Sequence, residues 1–243
     1  MKIKICGIKD VATAEFCKGT DVDFVGLVFT KSSRKISVQT AAKIVDSLGS
    51  PLKNFKFNDT LPKHPIMNTN EWFVESHKVL DFYLNIKKPL TVGVFANESI
   101  EEINNIVEVT GIDLVQLAGE YDIEDSQAIN CQTLYSLGIN DYSSPELLKD
   151  QIRSGFALSL IFDSLSSDSL GGTGKVFNWD ILQDISIQIP FLLAGGLNID
   201  NVELAMKICR PWGLDVSSGV ESNGVKDLNL IEEFVNRVRG FNG

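Results

Sequence analysis

The chain has 243 residues, of which 44% are hydrophobic, and this is enough to bury the core of one large α/β domain. Its net charge of −10 disfavours a nucleic-acid-binding protein, because contact with the phosphate backbone requires clustered Lys and Arg. No apolar run approaches the ~20 residues of a membrane span, and the N-terminus does not resemble a signal peptide. We therefore expect no membrane contact and a cytoplasmic location.

The four cysteines are widely separated, and no pair has the CxxC spacing that is typical of zinc sites. They are Cys6, Cys17, Cys131 and Cys209. We expect free thiols, with neither a structural metal nor a disulfide framework.

Short apolar strands alternate with helical segments along most of the chain. The first strand, KIKIC, ends at Cys6 and is followed by a helix at 10–18 and a second strand at 24–29. Further strands are predicted at 90–95, 114–117, 132–137, 158–162, 191–194 and 213–216, and further helices at 39–48, 99–109, 122–129, 145–154, 179–184, 199–207 and 226–238. Eight βα units predict a single (β/α)8 TIM barrel over residues 1–243, with its chemistry at the C-terminal ends of the strands.

Residues 50–88 interrupt this alternation, because an ordinary connection from a helix to the next strand has about 2 to 6 residues. Both histidines, His64 and His77, lie in this insertion, and Trp72 and Tyr83 could share one face of a helix within it. The insertion is either a lid or partner surface, or a surface elaboration. We favour the elaboration, since an insertion after helix two lies at the end of the barrel away from the chemistry. An uncovered apolar patch at Trp72 and Tyr83 would indicate a dimer, but we expect a monomer.

Two strand ends carry candidate acid and base groups. Cys6 is either a small buried hydrophobe, as we expect for the other three cysteines, or a thiol whose pKa is lowered by nearby donors and cations so that it acts as a base. Asp163 either caps the loop after strand six or is a catalytic acid, since partial desolvation raises the pKa of a carboxyl group.

Glycine-rich turns after strands seven and eight predict a phosphate site, a common feature of such barrels. Each turn leads towards a helix, so its backbone N–H groups could converge on an anion with help from the helix dipole. The alternative is that the glycines only permit tight turns. The candidate residues are Gly195, Gly196, Ser217, Ser218 and Gly219.

The GGTGK sequence at 171–175 is not a nucleotide P-loop. Ser169 stands where the first glycine is needed, and Val176 stands where Ser or Thr must bind Mg²⁺. We interpret this stretch as a flexible loop that closes over a phosphate through its backbone, including Gly172 and Gly174.

The motifs at these strand ends together resemble those of phosphoribosylanthranilate isomerase, a family of tryptophan biosynthesis. They are KICGIKD, FDS followed by GGTGKVFNW, LLAGGLNIDNV and DVSSGVESNGVKD, and the last is most similar to the fungal single-function enzymes. The resemblance implies a (β/α)8 barrel that converts N-(5-phosphoribosyl)anthranilate to 1-(2-carboxyphenylamino)-1-deoxyribulose 5-phosphate by an Amadori rearrangement. It implies no metal and no organic cofactor.

The resemblance also implies a role for each site residue. Asp163 would protonate the ribose ring oxygen and open the sugar to a Schiff base, and Cys6 would then remove the C2 proton. Arg34, in the loop after strand two, would bind the anthranilate carboxylate by a bidentate contact. The phosphate would be held by Gly195, Gly196, Ser217, Ser218 and the GGTG loop.

The sequence departs from the family pattern at two positions in the site. Ala118, in VQLAG, replaces the usual histidine, so we expect tuned rather than abolished activity. The FTKSSRKI loop is one residue shorter than usual, so Lys35 is an alternative to Arg34 for the carboxylate.

Two other functions compete with this interpretation. Other phosphate-binding barrel enzymes, such as aldolases and epimerases, use a Schiff-base lysine, a metal site or a Lys and Glu pair at strand ends, and none is evident inside these strands. A catalytically weakened barrel that binds a sugar phosphate or a partner protein is supported only by Ala118.

Overall fold

The structure is a computed structural model that describes residues 1–55, 68–140, 142–164, 177–183 and 189–241. Eight strands, β1 to β8, form a closed barrel in which strands adjacent in sequence are paired in parallel and β8 pairs with β1. They are β1 (Lys2–Cys6), β2 (Phe24–Val28), β3 (Leu90–Phe95), β4 (Leu114–Leu117), β5 (Gln132–Ile139), β6 (Ser159–Ser164), β7 (Leu192–Leu193) and β8 (Gly213–Val216). The predicted TIM barrel is confirmed.

Helices connect most of these strands on the outside of the barrel. They are α1 (Val11–Gly19), α2 (Val38–Leu48), α3 (Thr69–Ile86), α4 (Ile100–Thr110), α5 (Pro145–Gln151), α6 (Val202–Cys209) and α7 (Leu228–Gly240). Two predicted helices are short 3-10 helices in the described residues, at Ile123–Ala128 and Trp179–Leu182. The first begins with a capping box, in which the side chains of Asp122 and Asp125 accept from each other's backbone N–H groups.

A two-stranded hairpin, β9 (Glu221–Ser222) and β10 (Val225–Lys226), lies between β8 and α7. The sequence pattern predicted a helix from residue 226, but α7 begins at Leu228 because the Asp227 carboxylate caps the N–H groups of Asn229 and Leu230. The hairpin therefore stands at the C-terminal end of the barrel, where β8 ends.

The helix of the insertion, α3, covers the opposite end of the barrel. Its side chains Leu80 and Tyr83 pack with the buried first residues of several strands. These residues are Phe24, Leu90, Leu114 and Leu192. Trp72 donates a hydrogen bond from Nε1 to the carbonyl oxygen of Ala157 at 3.0 Å, just before β6.

The expected position of the insertion, away from the C-terminal strand ends, agrees with the structure, but its interpretation as a surface elaboration is wrong for α3. A closed barrel leaves apolar side chains uncovered at its ends, and α3 buries those at the N-terminal end. Residues 56–67, which include His64, lie outside the described residues.

Candidate active site

The C-terminal ends of the strands surround one cavity of about 210 Å³. Seven of the predicted site residues line it: Cys6, Arg34, Asp163, Gly195, Gly196, Ser217 and Ser218. They come from the ends of β1, β6, β7 and β8 and from the loop after β2. Residues up to 212 positions apart in the sequence therefore meet in one place because every parallel strand of the barrel ends on the same face.

Of the remaining predicted phosphate-site glycines, the structure describes only Gly219, and Gly219 does not line the cavity. Gly172 and Gly174 lie in 165–176, outside the described residues. Gly219 packs against the segment after β7, where an added Cβ would lie 1.9 Å from the carbonyl oxygen of Leu197. Only glycine fits there, so Gly219 permits two loops at the rim to approach each other.

Cys6 is the last residue of β1 and faces the cavity. Gly26 of β2 lies beside it, because an added Cβ on Gly26 would be 2.7 Å from the thiol sulfur. Burial raises the pKa of the Cys6 thiol, and the cations of Lys4 and Lys226 oppose this effect. Burial outweighs the two lysines, so the expectation that nearby donors and cations lower the pKa of Cys6 is wrong for the free protein, in which the thiol prefers its protonated form.

Asp163 lies near the end of β6 and lines the same cavity as Cys6. Burial raises its pKa to about 6, and the neighbouring charge of Asp215 contributes to this shift. A carboxyl group with this pKa keeps a proton on a useful fraction of molecules near neutral pH, so it can act as an acid.

Lys4 and Asp215 form a buried ion pair inside the barrel, with 2.6 Å between Nζ and Oδ2. Lys4 is fully buried. Burial alone would lower the pKa of Lys4, but Asp215 and Cys6 raise it above its ordinary value, so the side chain stays an ammonium ion. Lys4 is thus a lysine in the interior of the barrel, but a charged Lys4 is unsuited to the Schiff-base role considered above.

The alternation of KIKIC carried a signal for this lysine. Ile3 and Ile5 share one face of β1, so Lys2 and Lys4 share the other. In a barrel strand both faces are covered, one by helices and one by the interior, and the polar residue nearest the chemistry points inwards.

Arg34 lies at the rim of the cavity and is held by Glu221 of the β9–β10 hairpin. Its Nε donates to Oε1 at 2.7 Å and its Nη2 to Oε2 at 2.8 Å. Lys226 also donates to Oε1 of Glu221. The alternative residue, Lys35, is exposed and is not among the described residues of the cavity lining.

The two glycine-rich turns face the cavity, but their helices begin later than predicted. Gly195 and Gly196 have φ values of +85° and +66°, and α6 begins only at Val202. Ser217 donates a hydrogen bond from Oγ to the carbonyl oxygen of Cys6 at 3.0 Å, and α7 begins at Leu228. The dipole of a helix acts within its first turn, so any anion here must be held mainly by the turns themselves.

Three buried polar atoms of cavity-lining residues lack a hydrogen-bond partner among the described residues. They are Thr30 Oγ1, Gln116 Oε1 and Asp215 Oδ1. Buried polar groups in folded proteins are nearly always paired, so these atoms are suited to the hydroxyl and amine groups of a ligand. Ala118 lines the same cavity and contributes only a methyl group.

Comparison with known proteins assigns the chain to a family. The family model described as N-(5'phosphoribosyl)anthranilate (PRA) isomerase matches residues 63–237. The chain belongs to the phosphoribosylanthranilate isomerase family.

Relatives of this family match over almost their whole length. The N-(5'-phosphoribosyl)anthranilate isomerase of Wickerhamomyces anomalus is 36% identical over 97% of this chain and 98% of its own. Monomers generated from the dimeric isomerase of Thermotoga maritima are 27% identical, with a TM-score of 0.73 over 99% of this chain and 100% of theirs. A phosphoribosylanthranilate isomerase in complex with reduced 1-(o-carboxyphenylamino)-1-deoxyribulose 5-phosphate is also 27% identical, with a TM-score of 0.70 over the same shares.

Proposed function

We propose that the protein catalyses the Amadori rearrangement of N-(5-phosphoribosyl)anthranilate to 1-(2-carboxyphenylamino)-1-deoxyribulose 5-phosphate, in tryptophan biosynthesis. Membership of the isomerase family supports this reaction. The rearrangement moves protons without net oxidation, so one acid and one base suffice, and neither a metal nor an organic cofactor is needed. The observation that carries the proposal is the meeting of Cys6 and Asp163 in one cavity with a cation and two glycine-rich turns.

Asp163 acts first, as the general acid. Its carboxyl proton passes to the ring oxygen of the ribose, the bond from that oxygen to C1 breaks, and the anthranilate nitrogen supplies the electron pair that forms a protonated Schiff base. The raised pKa of Asp163, about 6, supports this role because the proton is available in the physiological range.

Cys6 acts second, as the general base. Its thiolate removes the proton from C2, and the electrons move into a C1–C2 double bond to give an enolamine, which tautomerises to the ketone. The positive charges of Lys4 and Lys226 support this step because they stabilise the thiolate within a buried site.

The substrate is held at its two anionic ends. Arg34 binds the anthranilate carboxylate, in preference to Lys35, since only Arg34 of the two lines the cavity among the described residues. The phosphate is bound by the turns that contain Gly195, Gly196, Ser217, Ser218 and Gly219, with the loop that contains Gly172 and Gly174. Gly219 serves through the close approach of the two rim loops.

The deciding experiment generates phosphoribosylanthranilate in situ and follows the loss of its fluorescence. We expect rapid loss with the wild type and a rate lower by about 10² to 10⁴ with Cys6→Ser and with Asp163→Asn. A wild type that binds the reduced product analogue without turnover would refute the isomerase and favour the weakened binding barrel. Ala118→His restores the histidine that is usual in the family. Since the wild type is expected to be active, we expect this variant to change the rate and not to create activity where there was none.

We further propose that the protein is a monomer in the cytoplasm. Trp72 and Tyr83, which would have signalled a dimer if exposed, are both buried against the barrel. The proposed thiol base supports a reducing compartment. In the described ranges no helix is long and apolar enough to cross a membrane.

A further inference from the structure

The pairing of Arg34 with Glu221 occupies only half of the guanidinium group. A guanidinium carries five N–H donors, and Glu221 accepts from Nε and from one N–H of Nη2. The opposite edge, formed by Nη1 and the second N–H of Nη2, donates to no described residue. Of these two side chains only Arg34 lines the cavity in the described structure, so the unused edge is the one available to a ligand.

Glu221 is itself fixed by its surroundings. Its side chain is only 7% exposed. Lys226, its partner across the β9–β10 hairpin, donates to its Oε1 and also to the carbonyl oxygen of Ser217 at 3.0 Å. The backbone N–H of Glu221 donates to the carbonyl oxygen of Ser218 at 3.1 Å. These contacts tie the carboxylate to the turn that ends β8.

The stem of Arg34 is held as well. It lies on Gly7, where an added Cβ would be 2.5 Å from Cδ of Arg34, and Gly7 has a φ of +85° that favours glycine. The residue before Gly7 is Cys6, so this contact places the stem of Arg34 close to the segment that carries the proposed base. Stem and one guanidinium edge are both fixed before any ligand arrives.

We propose that Glu221 is a positioning residue that holds Arg34 by one edge, so that the opposite edge meets the carboxylate of the substrate as a planar, bidentate pair. This inference rests on the proposed isomerase function. The cluster of Arg34, Glu221 and Lys226 has a net charge of +1, so it still attracts a carboxylate. Because the geometry is prepared in advance, binding does not have to order a flexible arginine.

The first test is Glu221→Gln, with two substrates. Glutamine keeps the size of the side chain but has one acceptor oxygen and no charge, so it cannot hold both Nε and Nη2. We expect KM for phosphoribosylanthranilate to rise about tenfold or more, with kcat within about threefold of wild type. With N-(5-phosphoribosyl)aniline, which lacks the carboxylate, both constants should stay within about twofold of wild type.

Two results would overturn the proposal. Equal losses with both substrates would show that Glu221 only maintains the fold, and a lower KM for phosphoribosylanthranilate would show that Glu221 competes with the substrate carboxylate. Arg34→Met provides the reference. If Glu221 acts through Arg34, adding Glu221→Gln to Arg34→Met should change KM for phosphoribosylanthranilate little further.

Titration with reduced 1-(2-carboxyphenylamino)-1-deoxyribulose 5-phosphate separates this proposal from the proposed function, because binding needs no turnover. Glu221→Gln should weaken the affinity for this analogue about tenfold and leave the affinity for its counterpart without the carboxylate unchanged. A wild type that binds the analogue but does not turn over would refute the isomerase alone, and the role of Glu221 would still be decided by these affinities.

Discussion

Four ionisable side chains meet at the proposed reaction centre, and the charges of Lys4 and Asp215 change the proton affinity of Cys6 and Asp163. The ammonium of Lys4 lies between the Asp215 carboxylate and the Cys6 thiol, and favours the anionic form of both. Asp215 in turn favours the protonated form of Asp163. Lys4 thus favours the thiolate of Cys6 and Asp215 favours the protonated form of Asp163, while Asp215 opposes the thiolate and Lys4 opposes the protonated carboxyl group.

Replacement of Lys4 tests the structural cost of this arrangement. Lys4→Met leaves the Asp215 carboxylate buried without its cation, and we expect a loss of about 3 to 5 kcal/mol in the free energy of unfolding. Urea denaturation measures this change. The double variant Lys4→Met with Asp215→Asn removes both charges and should recover most of the loss. An equally unstable double variant would mean that packing, and not the ion pair, explains the effect.

The pH dependence of kcat/KM tests the proton states of Asp163 and Cys6. The active form needs a protonated Asp163, whose pKa is about 6, and a Cys6 thiolate, whose pKa is raised above its ordinary value by burial. This form is a minority at every pH. We therefore expect kcat/KM to rise about tenfold per pH unit up to about pH 6, to stay level above it, and to fall again where the thiol ionises fully.

A matched variant identifies the group behind the lower limb of this profile. Asp215→Asn removes a charge that contributes to the raised pKa of Asp163, so the limb should move to lower pH. The phosphate of the substrate also ionises near pH ~6. A limb that does not move in Asp215→Asn would be assigned to the phosphate, and the role of Asp163 as a titrating acid would be refuted.

At the scale of elements, α3 shows how an insertion can become part of the core. Its residues Trp72, Phe73 and Leu80 are each 2% exposed or less, and its N-terminus is capped by Asn68, whose side chain accepts from the N–H of Glu71 at 3.0 Å. The predicted apolar face is thus present, and a side-chain cap marks the start of the helix. What the periodicity could not show is the surface that this face covers, because the N-terminal end of the barrel exists only when eight distant strands are assembled.

His77 of α3 makes this element sensitive to acid. Its ring packs edge-on against Trp212 with 4.3 Å between ring centres, and neither ring nitrogen has a hydrogen-bond partner among the described residues. Burial lowers the pKa of His77 to about 3. The unfolded chain binds a proton near pH 6.5 and the folded chain does not, so stability is full above pH 6.5 and falls as the pH drops towards 3.

We expect this histidine alone to reduce the free energy of unfolding by about 2 kcal/mol between pH 8 and pH 5. In His77→Leu and His77→Gln this contribution to the pH dependence should be absent. Urea denaturation at pH 8 and at pH 5 measures the free energy of unfolding of each protein. Only the leucine should also be more stable than the wild type at pH 8, because it leaves no buried polar group unpaired. Equal pH dependence in all three proteins would show that His77 is accessible to water.

For the whole molecule, the burial of α3 against the barrel predicts a monomer. Light scattering coupled to size-exclusion chromatography should give the mass of one chain, 26.8 kDa, at micromolar concentration. The Thermotoga maritima relative is described as dimeric, so a mass of two chains is the contrary result. It would require an interface outside the buried face of α3.

The local pattern of the chain was sufficient for the architecture. Buried parallel strands appear in the sequence as short apolar runs, and helices are recognised by their hydrophobic period and their caps. Eight βα units could therefore be counted without any knowledge of tertiary contacts. The rule that barrel chemistry lies at the C-terminal strand ends then identified Cys6, Asp163 and the glycine-rich turns. Of these candidates, the ones that the structure describes all line the cavity except Gly219.

Only the folded barrel could show the partners of these residues. Lys4 meets Asp215 and Arg34 meets Glu221 across 211 and 187 positions of sequence. Such pairs have no local pattern, because their spacing depends on how the barrel closes and how the hairpin after β8 folds back. The charge state of a buried group depends on these same neighbours. Strand ends could therefore be predicted from local sequence, whereas pKa values, the orientation of Arg34 and the burial of α3 depend on tertiary contacts.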